Sequence, residues 1–299
     1  MKIMITGGLG HIGSKLIQNI SEEHEVVVFD DLSTQRFCSL FNINRKIQFI
    51  QRSVNEIEPK DLLGFDAVIH LAAITNASES FNNKDLIEKI NLDHTSYFID
   101  LCDEAGCKFI FPSSTSVYGK SAEIVDESSD DFLNPQSPYA ETKIKIEEKL
   151  KSYSSKYVIL RFGTVFGKSS GMRFHTAINK FCYEASLGLP LTVWEDNFNQ
   201  YRPYLDISDA ISSINFCLDS EDVWNETYNV LTGNYKLSEI VGIIREFKNV
   251  SLNMVKTPLL NQHSYNVSDQ KIRKMGFIPN GDIRKAIKES LDLFKNINC

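Results

Sequence analysis

The sequence predicts an α/β fold, a Rossmann-like doubly wound parallel sheet with a smaller mixed C-terminal part, and three observations carry that prediction. Short apolar runs alternate with helical segments through the first half, a glycine-rich turn follows the first run at once, and the texture changes after Gly167. Strands separated by helices pair in parallel, and such a sheet is covered on both faces.

The elements follow in order. KIMIT opens the chain as a strand, and Ile12 to Ile20 follows as a helix. EVVVFD, IQFI and DAVIHLAA are the next three strands. A long helix is expected around Lys84 to Glu104, then the strand KFIF, a second helix from Ser137, and the strand YVILRFG. The near-continuous apolar content of VVVF and AVIHLAA fits strands buried on both sides. After Gly167 come a GKSSG linker, an amphipathic helix from Arg173 to Leu187, a short strand LTVW, and helices separated by loops rich in Asn, Asp and Pro. The expected division is residues 1–165, rejoined by about 203–230, and a second part over 166–299.

Composition narrows the function. The 299 residues exceed the ~100–150 of one typical domain, so a sizeable core is expected. A net charge of -7 leaves no basic surplus for DNA or RNA. The longest apolar stretch, AVIHLAAI, has eight residues and includes a histidine, far below the ~20 that span a bilayer. The chain enters a strand directly, without the basic and apolar regions of a signal peptide, which leads us to expect the cytoplasm. Cys38, Cys102, Cys107, Cys182, Cys217 and Cys299 form no CxxC pair and read as reduced thiols, with no metal site expected.

TGGLGHIGS, Thr6 to Ser14, places Gly7, Gly10 and Gly13 at a strand-to-helix turn. Glycine tolerates the turn's backbone angles, Gly10 lets a pyrophosphate approach the main chain, and Gly13 allows close helix-to-strand packing. The helix N-terminus then offers N–H donors and partial positive charge to the anion. The spacing is G-x-x-G-x-x-G, one residue off the ordinary dinucleotide fingerprint. Asp30 closes the second strand about 20 residues on, where a carboxylate accepts from ribose hydroxyls. It would repel a 2′-phosphate, and no Arg follows immediately to receive one, so NAD is favoured over NADP.

Tyr139 and Lys143 share one helix face at i, i+4. Chance supplies about one such pair in a chain of this composition, so position decides. The pair lies one strand-helix unit beyond FIFPSSTSVYG, whose Ser113, Ser114, Thr115 and Ser116 leave the carboxyl end of a strand, the edge where open parallel sheets bind ligands.

With TGGLGHIG, FDDLST, HLAA, Asn91, SSTSVYG, SPYAETK, LRFGTVFG and YRPYLDISDA in order and register, the sequence resembles the extended short-chain dehydrogenase/reductases of the NAD-dependent sugar-nucleotide epimerase/dehydratase family, in particular UDP-galactose 4-epimerase-like enzymes. The resemblance covers nearly the whole chain. It implies Tyr139 as acid/base, Lys143 as ribose ligand and electrostatic partner, and Ser114 as hydrogen-bond partner of the reacting hydroxyl. It places His11, Ile12, Asp31, Ser33, Ser53, Val54, Leu71, Ala72, Ala73, Asn91 and Phe162 along the dinucleotide with the glycines and Asp30. It sets Ser114, Thr115, Ser116, Thr164, Arg202 and His263 toward a nucleotide-diphosphate sugar, and Arg173 and Asn179, on the helix after the GKSSG linker, are further substrate candidates. A tyrosine near pKa ~10 is a poor base at neutral pH, and a neighbouring ammonium and the cationic nicotinamide are expected to favour the phenolate.

Residues after Ser114 separate the reactions. Dehydrating relatives resemble T-D-E-V-Y-G here, uronate decarboxylases carry a glutamate at the place of Ser116, and 3,5-epimerases a cysteine; Thr115 and Ser116 disfavour all three. The resemblance therefore implies a C4 epimerase, with a 4-dehydrogenase or 4-ketoreductase as the alternative and a non-catalytic NAD-binding regulator as a third reading. Thr164, Ser53 and His94 depart from the 4-epimerase pattern, so an altered substrate pocket is expected. A homodimer through the helices of Asn91 and Tyr139 is expected by resemblance.

Overall fold

The computed structural model describes residues 1–76, 79–119, 124–128, 130–256 and 265–297. In chain order the strands are β1 (Lys2–Thr6), β2 (Glu25–Asp30), β3 (Gln48–Gln51), β4 (Ala67–His70), β5 (Lys108–Ser114), β6 (Ile124–Val125), β7 (Tyr157–Phe162), β8 (Thr164–Phe166), β9 (Leu191–Trp194), β10 (Tyr201–Asp206), β11 (Glu226–Val230), β12 (Gly233–Lys236), β13 (Leu252–Val255) and β14 (Asn266–Val267). The helices are α1 (His11–Asn19), α2 (Lys84–Ile87), α3 (Thr95–Glu104), α4 (Pro138–Leu150), α5 (Ala177–Ser186), α6 (Ile207–Asp219), α7 (Leu237–Phe247), α8 (Gln270–Lys274) and α9 (Ile283–Asp292).

Seven strands form one sheet in the order β11-β7-β5-β4-β1-β2-β3, with every pairing parallel. Alternate residues of one strand serve opposite layers: Ile3 and Ile5 pack with Leu16 of α1 and Ile211 of α6, while Met4 packs with Phe98 of α3 and Ile146 of α4. Both faces of the sheet are thus dry, which explains why its strands read as unbroken apolar runs. The order turns back between β1 and β4, and the carboxyl ends of the strands open a crevice there.

β11 rejoins the large sheet beside β7 after the chain has left it. The remaining strands form small sheets, β12-β10-β8, β13-β9 and β14-β6, and a separate core of Phe181, Val193, Tyr204, Ile240 and Ile287 gathers α5, α7 and α9.

Two helical expectations change. The long helix is α2 and α3 joined by a π-helical stretch, Glu88–His94, with Asn91 buried in its middle. The helix expected from Arg173 begins at Ala177, with Thr176 at its N-cap in an extended conformation. Apolar spacing fixes the face of a helix more firmly than its first turn, and Arg173 sits on the preceding loop.

Candidate active site

The glycine turn is shaped by steric exclusion. Gly7 has φ +65°, and a Cβ there would lie 2.6 Å from the Cα of Ala72. A Cβ on Gly13 would lie 2.6 Å from the Cα of Gly8, so α1 can lean on the turn only with glycine at that position. Asp30 is buried, and its two oxygens accept from the Leu9 N–H at 3.0 Å and the Leu32 N–H at 2.9 Å, tying β2 to the glycine turn. Burial pushes its carboxyl above the usual range, opposed by those backbone donors.

This turn fits a diphosphate. Gly10, the N-cap of α1, makes no side-chain cap bond, and His11 presents a buried Nε2 with no hydrogen-bond partner while its Nδ1 meets Ser169 Oγ at 2.7 Å. Arg36, which the sequence reading passed over, reaches the turn: a Cβ on Gly10 would stand 4.0 Å from its Nη1. Its charge, after burial and the charge of Arg173, helps lower the pKa of His11. An arginine six residues past Asp30 was not recognisable as a loop neighbour from spacing alone.

A cavity of about 340 Å³ opens beside the turn at the ends of β4, β5 and β7. It brings together twelve of the residues expected from sequence: Ile12, Leu71, Ala73 and Phe162 on the cofactor side, and Ser114, Thr115, Ser116, Tyr139, Lys143, Thr164, Arg173 and Arg202 around them. Ser137 caps α4 by accepting from the Ala140 N–H, with Pro138 in the first turn, and this fixes where the Tyr139 and Lys143 side chains emerge. Lys143 Nζ donates to the carbonyl of Pro112 at 2.8 Å and lies 4.3 Å from the Phe111 ring centre and 5.8 Å from that of Tyr139. Ser114 Oγ accepts from the N–H and the hydroxyl of Ser116, at 3.1 and 2.9 Å, and lines the same cavity as Tyr139.

The electrostatics correct one expectation. Burial raises the pKa of Tyr139, and the opposing influences are the charge of Arg173 and the Ser114 hydrogen bond. Lys143 is itself desolvated, and burial lowers its pKa to about 8 against the raising influence of Glu147. Glu147, one turn further along α4, is held by Arg161 at 2.6 Å and by Ser113, and Arg161 continues to Tyr118 at 2.9 Å. That buried pair largely spends the Glu147 charge on Arg161, leaving Lys143 a weakly compensated ammonium.

Other expected site residues lie elsewhere. The Asn91 amide is fully engaged with the main chain of Ile74, accepting from its N–H and donating to its carbonyl, both at 2.8 Å. It shapes the loop after β4. Asn179 is fully buried and bonds the Gly167 N–H and the Arg173 carbonyl, each at 3.0 Å, so it supports the pocket from behind. Buried amides satisfy the nearest backbone groups first. Gly7, Gly10, Gly13, Asp30, Asp31, Ser33, Ser53, Val54 and Ala72 lie outside the cavity lining, Ser53 as the cap of a short helical turn. His263 lies outside the described residues, and so does Cys299. The lining residues not expected include Thr75, which accepts from Arg173, and Tyr265, whose hydroxyl donates to the Thr115 carbonyl at 3.1 Å and whose ring lies 5.2 Å from the Arg202 guanidinium. Neither stands in a run whose spacing signals a site.

Comparison with known proteins gives the family. The family model described as NAD dependent epimerase/dehydratase family matches residues 3–230. The chain belongs to this family. It is an NAD-dependent enzyme family, and the glycine turn, Asp30 and His11 fit that cofactor. An uncharacterized UDP-glucose epimerase of Bacillus subtilis is 29% identical over 269 residues, covering 84% of this chain and 82% of the relative. The UDP-glucuronic acid 4-epimerase of Bacillus cereus, solved with UDP-glucuronic acid and NAD, superposes with a TM-score of 0.84 at 27% identity, covering 99% of both chains. The UDP-N-acetylglucosamine 4-epimerase of Methanobrevibacter ruminantium superposes with a TM-score of 0.87 at 25% identity, covering 98% of this chain and 97% of that one. This family member shares its overall fold with these epimerases. Among its described residues no helix is long and apolar enough to cross a membrane, and no cluster of His, Cys, Asp or Glu is arranged to hold a metal ion.

Proposed function

We propose that this family member is a C4 epimerase of a UDP-linked sugar, acting through Tyr139, Ser114 and Lys143. The observation that carries this reading is the convergence of Tyr139, Ser114 and Lys143, with Lys143 Nζ 5.8 Å from the Tyr139 ring centre, on one cavity whose described lining contains no Asp or Glu. Elimination and decarboxylation require further acids and bases beside the sugar; oxidation and re-reduction at one carbon do not. Relatives named for UDP sugars support the nucleotide.

NAD, when bound, supplies the hydride acceptor and donor. Ser114 holds the C4 hydroxyl and Tyr139 takes its proton, with the charge of Arg173 favouring the phenolate against the effect of burial. Lys143, fixed by the Pro112 carbonyl, would offer its remaining N–H donors to the cofactor's ribose. The 4-keto sugar then presents its other face, and the phenol returns the proton. Asp30 would accept from the adenosine ribose and Arg202 would bind the substrate diphosphate through its planar fork.

The remaining readings rest on separate supports. We read 1–165 with about 203–230 as the cofactor part and the rest as the substrate part, supported by the return of β11 to the large sheet. Four buried free cysteines, Cys102, Cys107, Cys182 and Cys217, support a reducing compartment such as the cytoplasm. Leu86 and Tyr97, 48% and 45% exposed on α2 and α3, support a homodimer through those helices and α4. Incubation with UDP-glucose, UDP-N-acetylglucosamine and UDP-glucuronic acid tests the activity. A 4-epimer without net reduced cofactor is expected; accumulation of NADH or an oxidised sugar would favour a 4-dehydrogenase, and no turnover would sink the reading.

A further inference from the structure

Beneath the reacting groups lies a buried ion pair that the chemistry above does not use. Tyr139, Lys143 and Glu147 follow one another at intervals of four along α4 and so run down one stripe of the helix. The end of β5 answers them in consecutive residues: the Pro112 carbonyl accepts from Lys143, the Ser113 hydroxyl donates to Glu147, and Ser114 lines the cavity. Ser113 stands opposite Arg161 in the register of β5 and β7, as Ser114 stands opposite Phe162. Ser113 and Arg161 therefore close together on the Glu147 carboxylate, one residue before Ser114 and Phe162 enter the cavity wall.

The pair is fully satisfied. Arg161 donates from Nε to both carboxylate oxygens at 3.2 and 3.1 Å, from Nη2 at 2.6 Å, and from Nη1 to the Tyr118 hydroxyl at 2.9 Å. The Tyr118 hydroxyl donates in turn to Asn229 of β11 at 2.9 Å. Glu147 and Arg161 are 3% and 5% exposed. Two charges buried so deeply gain little over well-packed apolar side chains, because lost hydration offsets their attraction. What the pair adds is direction. Ile146 and Leu150 of the same helix sit in an apolar cluster with Phe98, Phe109 and Ile159, and such contacts let a helix slide. Charge-assisted hydrogen bonds to a planar fork fix both distance and angle.

We propose, on the C4 epimerase reading, that Glu147 is a positioning residue: held by Ser113 and Arg161, it sets the depth at which α4 seats against the ends of β5 and β7, and so the reach of Tyr139 and Lys143 to the hydroxyl held at Ser114. Tuning of the Lys143 charge is the competing role. The titratable groups acting on Lys143 are Tyr139 and Glu147 on its own helix and His70 at the end of β4, and the Glu147 charge is already matched by Arg161.

Glu147→Met combined with Arg161→Met removes the pair without stranding either charge and roughly keeps the buried volume. With the UDP sugar that the wild type turns over, kcat should fall about 100-fold across the pH range, the cost of roughly 1 Å of misplacement. KM should stay within about twofold, NAD should be retained, and the melting temperature should stay within a few degrees of the wild type's. Crystal structures of the two proteins should show α4 displaced against Ser113 by about 1 Å. An undiminished kcat, whether or not the melting temperature falls, overturns the proposal and leaves the pair a stabilising role only. A kcat restored at another pH overturns it in favour of charge tuning. Failure of the wild type to turn over any UDP sugar removes the epimerase reading alone, and the crystal structures then decide: an unmoved α4 overturns the seating role and a displaced one upholds it. Should the double variant fail to fold, Glu147→Gln, which keeps an acceptor for Ser113 and loses the ion pair, is judged by the same split between kcat and KM.

Discussion

The two halves of the site are made in different ways. On the cofactor side the shape is set by the main chain: Gly7 and Gly13 remove side chains where neighbouring backbone stands 2.6 Å from a Cβ, and Asp30 is locked by the N–H groups of Leu9 and Leu32. On the substrate side it is set by long side chains from distant segments, Arg173, Arg202 and Tyr265, meeting Thr75, Thr115 and the Ser114 strand end. A backbone-defined half tolerates almost no substitution, whereas a side-chain half can change preference while the chemistry stays. Tyr139 and Lys143 lie on the seam, which is why the same pair can serve different sugars.

The largest effect is expected on that seam. Tyr139→Phe removes the proton acceptor, and kcat should fall roughly 10³-fold, within the range for a general acid/base, while NAD stays bound. A variant that keeps its rate would erase the distinction drawn between seam and halves. Next comes the cofactor half: Gly13→Ala must displace backbone at Gly8, and a stability loss of about 2 kcal/mol with reduced NAD content is expected in thermal melts and cofactor titration.

Lys143 gives a signed pH test. Its pKa is lowered from 10.5 to about 8 in the fold, so the unfolded chain binds more protons between those values. The burial cost is therefore full below pH 8 and is relieved as pH rises toward 10.5, making this group's contribution to stability increase with pH in that window. Lys143→Met should flatten that rise, raise the stability at pH 7 by about 1 kcal/mol and depress turnover. A steeper pH dependence in the variant would contradict the assignment. The smallest effect belongs to the substrate half: Tyr265→Phe loses one hydrogen bond to the Thr115 carbonyl, about 1 kcal/mol, and should weaken KM a few-fold with NAD content unchanged. A loss of NAD instead would merge the two halves.

The same contrast explains what could be read in the chain. The glycine turn, Asp30 and the Tyr139/Lys143 pair were legible because backbone sterics and helix periodicity write themselves into local spacing. Ser114 was legible because a strand end must precede it. The backbone bonds of Asn91 and Asn179 were not, because a polar residue gives no local sign of which main-chain groups it will meet. Arg36, Thr75 and Tyr265 join the site through loops, where proximity depends on tertiary packing. Arg173 was found as a residue but placed on a helix it only precedes, since Thr176 and an extended cap delay the first turn.

Turnover of a UDP sugar in D₂O, followed by mass spectrometry and NMR of the product, tests the central claim most directly. If the hydrogen leaves and returns at C4 within the closed site, the 4-epimer should form with no carbon-bound deuterium. Deuterium at C3 or C5, or a product lacking water or carbon dioxide, would contradict chemistry confined to C4 by Tyr139, Ser114 and Lys143.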